Sequence, residues 1–174
     1  MTSSSVNLRT FRTQVTKNKK RLRSFLALLQ KKPAEPVRLL TLEANELAWA
    51  KTDCLDCANC CKTMSPTYTQ KDIARISGFL GMSKKEFVEK WLYKDRTGDW
   101  MNKKQPCQFL DSKTNMCKVY EVRPKDCSGF PYHGTKNMKD YGHVFKQNVE
   151  FCPATYRLVE IMQEGVAEGK WSLK

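Results

Sequence analysis

Apolar residues near the N-terminus recur at helical spacing and form a single stripe over residues 7–32. The other faces of this segment are rich in Lys and Arg, so the pattern predicts a basic amphipathic helix that ends at Pro33 and Pro36. A second apolar stretch predicts another helix before the first cysteine, with Leu39, Leu40, Leu42, Leu47 and Trp49. The stripe of the first helix consists of Leu8, Phe11, Val15, Leu22, Phe25, Leu26 and Leu29.

Two helix-start signals follow in residues 69–93. Thr69 with Asp72 and Ser83 with Glu86 have the spacing of capping boxes, and Gly81 separates the apolar runs after them. The sequence therefore predicts two short helices joined at a glycine. DNA-binding helix-turn-helix units share this outline, but the second helix carries large apolar residues suited to packing, which favours a scaffold over a nucleic-acid partner.

The C-terminal half contains more turn signals. Two short β-prone segments flank a turn-rich break and predict a hairpin that brings Cys107 and Cys117 together. Glycines and prolines around Cys127 predict an irregular loop, and Pro153 begins a predicted C-terminal helix.

These elements predict a mainly helical α+β fold: a small Cys-rich, metal-centred domain of short helices and one β-hairpin. Three parts are expected: a basic helical segment over residues 1–49, a metal-binding domain over 50–155, and a C-terminal helix over 156–174 that packs on it.

The sequence contains eight cysteines, which predict a metal-thiolate protein rather than an ordinary helical domain. All eight are candidate ligands, which is enough for two four-coordinate sites. A disulfide framework is the alternative, and it requires a secreted chain. The candidates are Cys54, Cys57, Cys60, Cys61, Cys107, Cys117, Cys127 and Cys152.

The N-terminal region argues against secretion, because its compact apolar run at residues 25–29 is short and flanked by Lys and Arg. No stretch approaches the ~18 apolar residues of a transmembrane segment. A transit peptide is an alternative for residues 1–32, which contain no acidic residue. We expect a cytoplasmic chain.

The 174-residue chain carries a formal charge of +13. Eight thiolates holding two dications would lower this charge to about +9. The remaining excess permits an acidic protein partner without identifying one.

Two cofactors fit the cysteines. The C-x2-C-x2-C spacing is the one with which bacterial ferredoxins surround an iron-sulfur cluster such as 4Fe-4S, and Cys152-Pro153 matches the end of that motif. Structural zinc (Zn) also takes four thiolates from short loops and hairpins. The sequence leaves both open.

The backbone of the first four cysteines also has two possible forms. On a helix, Cys54, Cys57 and Cys61 share a face, whereas in a wrapped loop Cys54, Cys57 and Cys60 turn inward. The adjacent side chains of Cys60 and Cys61 are expected to diverge.

Other donors are weaker candidates. His133 and His143 could replace a cysteine or carry a proton, but eight thiols already fill two sites, so we expect structural histidines. Asp53 and Asp56 are expected to form hydrogen bonds within the cysteine-rich loop.

The sequence contains neither a dinucleotide fingerprint nor a phosphate loop. The radical adenosylmethionine spacing C-x3-C-x2-C fails because position 64 is Met64. We therefore favour a metal-binding module for cluster handling, electron transfer or metal-dependent interaction.

The motif CLDCANCC, followed by CQFLDSKTNMCKVYEVRPKDCSGFP, resembles the YkgJ-like cysteine-cluster family of zinc- or iron-chelating CxxCxxCC domains, which is related to the flagellin N-methylases. The resemblance spans roughly residues 50–155 and implies thiolate coordination of an iron-sulfur cluster or zinc in a bacterial cytoplasm. It also implies an alternative function, adenosylmethionine-dependent protein-lysine N-methylation. Asn59 stands where the family has glycine, and asparagine tolerates left-handed backbone.

Overall fold

The computed structural model describes residues 6–174, and its fold is α+β and mainly helical, as predicted. Residues 1–5, which belong to the expected segment 1–49, lie outside the described residues. The chain divides into two compact units. The terminal unit comprises the described residues up to Cys57 together with Pro131–Lys174, and the central unit comprises Ala58–Phe130. The domain boundaries expected after residues 49 and 155 stay a prediction.

Helices make up most of the regular structure, and within residues 6–174 the strands form a single short pair. In chain order, the elements are α1 (Leu8–Leu29), α2 (Ala34–Trp49), α3 (Cys54–Cys57), α4 (Asn59–Thr63), α5 (Gln70–Phe79), α6 (Lys84–Trp91), β1 (Leu92–Lys94), β2 (Trp100–Asn102), a 3-10 turn (Tyr120–Val122), α7 (Lys125–Gly129), α8 (Gly142–Phe151) and α9 (Pro153–Ala167). Within residues 6–174, no helix combines the length and the apolar character needed to cross a membrane.

The terminal unit is a helical bundle in which α9 packs against α1, α2 and α8, and α1 packs against α8. The predicted stripe of α1 forms much of its core. Lys19 and Arg23 on the outer side of α1 form ion pairs with Glu150 of α8, at 3.2 and 2.8 Å. These pairs add little stability because the cations are half exposed to solvent, so burial of the stripe holds the bundle together. The buried stripe residues are Phe11, Val15, Leu22, Phe25, Leu26 and Leu29.

Helix α2 forms as predicted, but most of its large leucines are not in the core. Leu39, Leu42 and Leu47 are 53%, 42% and 50% exposed. The side of α2 that is buried carries smaller residues at helical spacing, which lets α9 approach closely. These buried residues are Val37, Leu40, Thr41, Ala44 and Ala48.

The central unit has its own aromatic core. The Phe87 ring lies edge-on to Trp91 with centroids 5.2 Å apart and stacks on Phe109 at 6.1 Å. Both predicted capping boxes are confirmed, with Thr69 and Ser83 accepting hydrogen bonds at the starts of α5 and α6.

The hairpin of the central unit lies elsewhere than predicted. Strands β1 and β2 pair antiparallel, with Leu92 opposite Asn102. The hairpin expected at Cys107 and Cys117 is reduced to a single antiparallel bridge between Leu110 and Cys117. The β-prone run after that bridge winds into the 3-10 turn, because its N–H groups bond to carbonyls three residues earlier instead of to a partner strand.

The irregular loop expected around Cys127 contains a short helix, α7. Pro124 precedes its first residue, and the Ser128 N–H donates to the Pro124 carbonyl at 3.1 Å. Proline is compatible with a helix start because its missing N–H is not needed there. Cys127 is therefore carried on a regular backbone.

Candidate metal centre

The segment that carries the first four cysteines consists of two short helices separated by one residue. Asp53 accepts a hydrogen bond from the Leu55 N–H at 2.8 Å and so starts α3, in line with the role expected for it. Ala58 then adopts a left-handed conformation, with φ 43°, and α4 follows. Neither a continuous helix nor a wrapped loop is formed. The left-handed residue is Ala58, one position before the asparagine expected to permit it, and L-residues adopt this conformation at a cost of about 1 kcal/mol.

The break at Ala58 coincides with the boundary between the two units, so the eight cysteines fall into two groups. No disulfide joins any of them, and all eight lie within residues 6–174. The terminal unit carries Cys54, Cys57 and Cys152. The central unit carries Cys60, Cys61, Cys107, Cys117 and Cys127.

Cys60 and Cys61 do not diverge as expected. Their Sγ atoms are 4.0 Å apart. Two sulfurs bound to one tetrahedral zinc at about 2.3 Å would lie about 3.8 Å apart. The vicinal pair therefore already has nearly the separation of two ligands of one metal ion.

Four cysteines of the central unit form what we call the central thiol set: Cys61, Cys107, Cys117 and Cys127. The Cys107 N–H donates to the Cys61 carbonyl at 2.8 Å, which joins the start of α4 to the loop after β2. The antiparallel bridge positions Cys117, and α7 positions Cys127. Burial raises the pKa of Cys127, and negative charge on each of the other three thiols would raise it further.

Within the set, Cys61 differs from the others in its ionisation. The hydrogen bond with Cys60 lowers the pKa of Cys61 to about 7. Burial raises the pKa of Cys107 to about 11 and also raises the pKa of Cys117. At neutral pH, Cys61 is thus partly a thiolate, while the other members keep their protons until a cation compensates the charge.

The central thiol set is a group of neighbours rather than a closed cage. Within residues 6–174, no three His, Cys, Asp or Glu side chains converge closely enough to hold a metal ion. The donors still fit zinc or an iron-sulfur cluster, since both bind thiolates. A buried amide, that of Asn102, lies beside Cys107 and has an unused Nδ2 donor. Sequence reasoning missed Asn102, because a single polar residue after Trp100 and Met101 carries no local signal.

The thiols of the terminal unit are arranged differently. Cys152 is 7% exposed and precedes α9, where the N–H groups of Ala154 and Thr155 reach its sulfur. The partial positive charge at a helix start favours a thiolate. Burial is the larger effect and raises the pKa of Cys152 to about 11, with a smaller contribution from charge on Cys54.

His133 has the contacts of a structural histidine. Its ring stacks on Phe145 with centroids 6.0 Å apart. Its Nδ1 lies 3.0 Å from Asn45 Oδ1, and its Nε2 lies 2.8 Å from Thr155 Oγ1. An amide oxygen only accepts, so Nδ1 carries the hydrogen and Nε2 accepts from the threonine hydroxyl. Both ring nitrogens are occupied. His143 is exposed to solvent.

Comparison with known proteins relates the chain to a protein family and to curated relatives. Residues 53–153 match a family model, CxxCxxCC, described as "Putative zinc- or iron-chelating domain". The chain is also similar to "Uncharacterized protein MJ0661" of Methanocaldococcus jannaschii, with 37% identity over 81 residues. That alignment covers 45% of this chain and 43% of the relative, so the chain spans less than half of the relative's length. No solved structure matches the chain.

Proposed function

Because the chain belongs to the CxxCxxCC family of zinc- or iron-chelating domains, we propose that it binds its metal through Cys61, Cys107, Cys117 and Cys127. The observation that carries this proposal is the placement of four thiols in one unit: the Cys107 N–H donates to the Cys61 carbonyl at 2.8 Å, and the bridge at Cys117 and helix α7 bring Cys117 and Cys127 beside them. Neighbouring thiolates repel one another, and a bound cation removes the repulsion.

The four thiols of the set differ in how readily they would ionise to bind a metal. Cys61 is ionised most readily and is the first ligand, assisted by the hydrogen bond from Cys60. Cys107, Cys117 and Cys127 would each release a proton on binding, because metal ligation requires thiolates. Zinc would supply a redox-inert dication that cross-links α4, α7 and the bridge, whereas an iron-sulfur cluster would supply one-electron chemistry at the same thiolates.

The terminal unit provides a second, smaller group of candidate ligands. We propose a second centre at Cys54, Cys57 and Cys152. Charge on Cys54 raises the pKa of Cys152, and the side chains of Cys57 and Cys152 are buried. Three thiolates require a fourth ligand to complete a tetrahedral site. We therefore expect this group to bind metal more weakly than the central thiol set.

The expected location and protein partner of the chain stay predictions. A cytoplasmic location and an acidic protein partner rest on the sequence alone. Nothing in the described residues favours the lysine-methylating alternative over metal binding, so we do not propose that activity.

The decisive experiment is a metal analysis of the anaerobically purified chain. Iron, acid-labile sulfide and zinc are measured per protein in the wild type, in Cys127→Ser and in Cys54→Ser. Cys127 belongs to the central thiol set, whereas Cys54 is an exposed thiol of the other unit. We expect Cys127→Ser to lose the tightly bound metal and Cys54→Ser to retain it.

Circular dichroism of each variant shows whether the helices persist. Iron with matching sulfide in the wild type would identify a cluster, and zinc alone would identify a mononuclear site. A wild-type protein without either metal, or a Cys127→Ser variant that is folded and fully loaded, would refute the proposal.

A further inference from the structure

The side chain of Asn102 is held in a fixed orientation at the end of β2. It is 5% exposed. Its Oδ1 accepts hydrogen bonds from the Tyr68 hydroxyl at 2.7 Å and from Gln108 Nε2 at 3.1 Å. Its backbone N–H donates to Ser65 Oγ at 2.8 Å. Two donors converge on one amide oxygen, which settles which end of the carboxamide is oxygen and which is nitrogen.

The other end of this carboxamide has a donor without an acceptor. Asn102 Nδ2 is buried from solvent and has no hydrogen bond of good geometry, although it lies within reach of the Cys107 thiol. Proteins seldom leave a buried N–H unpaired, because burial removes its hydrogen bond to water and the lost bond costs free energy unless another acceptor replaces the water. The neighbouring polar group is the Cys107 thiol. Burial raises the pKa of the Cys107 thiol, whereas the Asn102 side chain lowers it by a smaller amount.

We propose that Asn102 Nδ2 donates a hydrogen bond to Cys107 Sγ in the metal-bound protein and is a positioning residue of the metal centre. This inference rests on the proposed function, since it requires Cys107 to be a ligand. A protonated thiol is a weak acceptor, which explains why the donor is unused when the sulfur carries its proton. A metal-bound thiolate keeps negative charge and accepts a stronger, charge-assisted bond.

Tyr68 and Gln108 complete the arrangement. Both donate to the oxygen of the amide and so hold its nitrogen toward the sulfur. Hydrogen bonds of this kind orient a ligand and stabilise its charged form, and their loss typically weakens metal binding about 10- to 100-fold. Asn102 therefore favours the metal over protons at Cys107.

The test compares Asn102→Leu with Tyr68→Phe. Leucine has a similar size but no donor, whereas Tyr68→Phe removes one hydrogen bond from the same network and leaves Asn102 Nδ2 intact. Three quantities are measured in each protein: Zn²⁺ affinity by competition with a chromogenic chelator, the energy of the sulfur-to-Co²⁺ charge-transfer band, and the pH at which half the metal is released.

We expect Asn102→Leu to bind Zn²⁺ about 10- to 100-fold more weakly than the wild type. Its Co²⁺ band moves to lower energy, because a thiolate without the hydrogen bond gives up an electron more easily. Its metal is released at a higher pH. Tyr68→Phe changes affinity by less than about threefold, the size of a modest loss of orientation, and leaves the band in place.

An Asn102→Leu variant whose Co²⁺ band and pH of metal release stay at the wild-type values would overturn the inference while leaving the proposed function standing. A wild-type protein that binds neither Zn²⁺ nor Co²⁺ would overturn both. If Asn102→Leu does not fold, the wild type is studied instead by ¹⁵N NMR of the Asn102 side-chain NH₂ group. Adding Zn²⁺ should move one of its proton resonances downfield, and resonances that stay in place would overturn the inference.

Discussion

Acidification should destabilise this protein in part through His133, whose ring is enclosed in the terminal unit. The ring is 5% exposed, and both of its nitrogens are already hydrogen-bonded in the neutral form. Protonation would place a positive charge in an apolar setting, where neither Asn45 nor Thr155 is anionic. The folded state therefore resists the proton that an unfolded chain accepts freely.

The magnitude follows from the pKa. Burial lowers the pKa of His133 from 6.5 to about 4. One pKa unit corresponds to 1.36 kcal/mol, so the penalty amounts to about 3 kcal/mol. Between these two pKa values the unfolded state holds more protons than the folded state, so the free energy of unfolding falls as pH falls. The contribution is fully present above about pH 6.5 and is lost by about pH 4.

Urea titrations at pH 7, 5.5 and 4 test this reasoning. His133→Gln keeps one donor and one acceptor but does not titrate, and His143→Gln removes an exposed histidine as the matched control. Between pH 7 and pH 4, the wild type and His143→Gln should lose about 3 kcal/mol more than His133→Gln. Acid also protonates the thiolates, but it does so in all three proteins. An equal loss of stability in the wild type and His133→Gln would refute the reasoning.

Three further predictions concern the central unit. In the metal-free protein, Cys61 should react fastest with iodoacetamide, with a rate that is half-maximal near pH 7 and levels off about one unit above it. Cys60→Ser should shift that midpoint to higher pH, as peptide mapping by mass spectrometry can show. Phe87→Ala should cost about 3–5 kcal/mol in urea titrations because Phe87 is fully buried, whereas Phe79→Ala, at a position 56% exposed, should cost less than about 0.5. Thr69→Ala should cost about 1 kcal/mol in the same assay through loss of the α5 capping box, and an unchanged midpoint would contradict that role.

Elements with a strong local signal could be predicted from the sequence. The stripe of α1 and the capping boxes at Thr69 and Ser83 depend on residues close together in the chain, and all are confirmed. Helix α8 was not predicted. Its core contacts are made chiefly by Phe145 and Val149, which is too short a pattern to stand out.

Other features depend on tertiary contacts that no local pattern encodes. The side of α2 that packs against α9 carries Ala44 and Ala48, whereas Leu39 lies on the exposed side. The hairpin around Cys107 was predicted from β propensity, yet the Cys107 N–H is bound to a carbonyl of α4. In both cases, tertiary contacts rather than the local sequence pattern determine the structure.

The candidate site was predictable in its donors but not in their grouping. The eight cysteines are visible in the sequence, and their roles as ligands stay a prediction. The separation of Cys57 from Cys60 by a left-handed alanine was not foreseeable, because alanine seldom adopts that conformation. Asn102 became a candidate only when β2 placed its side chain beside Cys107.

Burial of the thiols also bears on which metals the site can accept. A cation must displace protons from Cys107, Cys117 and Cys127, whose pKa values burial raises. Hard cations such as Mg²⁺ bind thiolates too weakly to do so, whereas zinc and iron form strong bonds to sulfur. The burial that keeps Cys107, Cys117 and Cys127 protonated therefore also excludes the abundant hard cations. The choice between zinc and an iron-sulfur cluster then depends on how far the sulfurs move toward one another, because one tetrahedral ion requires all four within about 4 Å and a cluster does not.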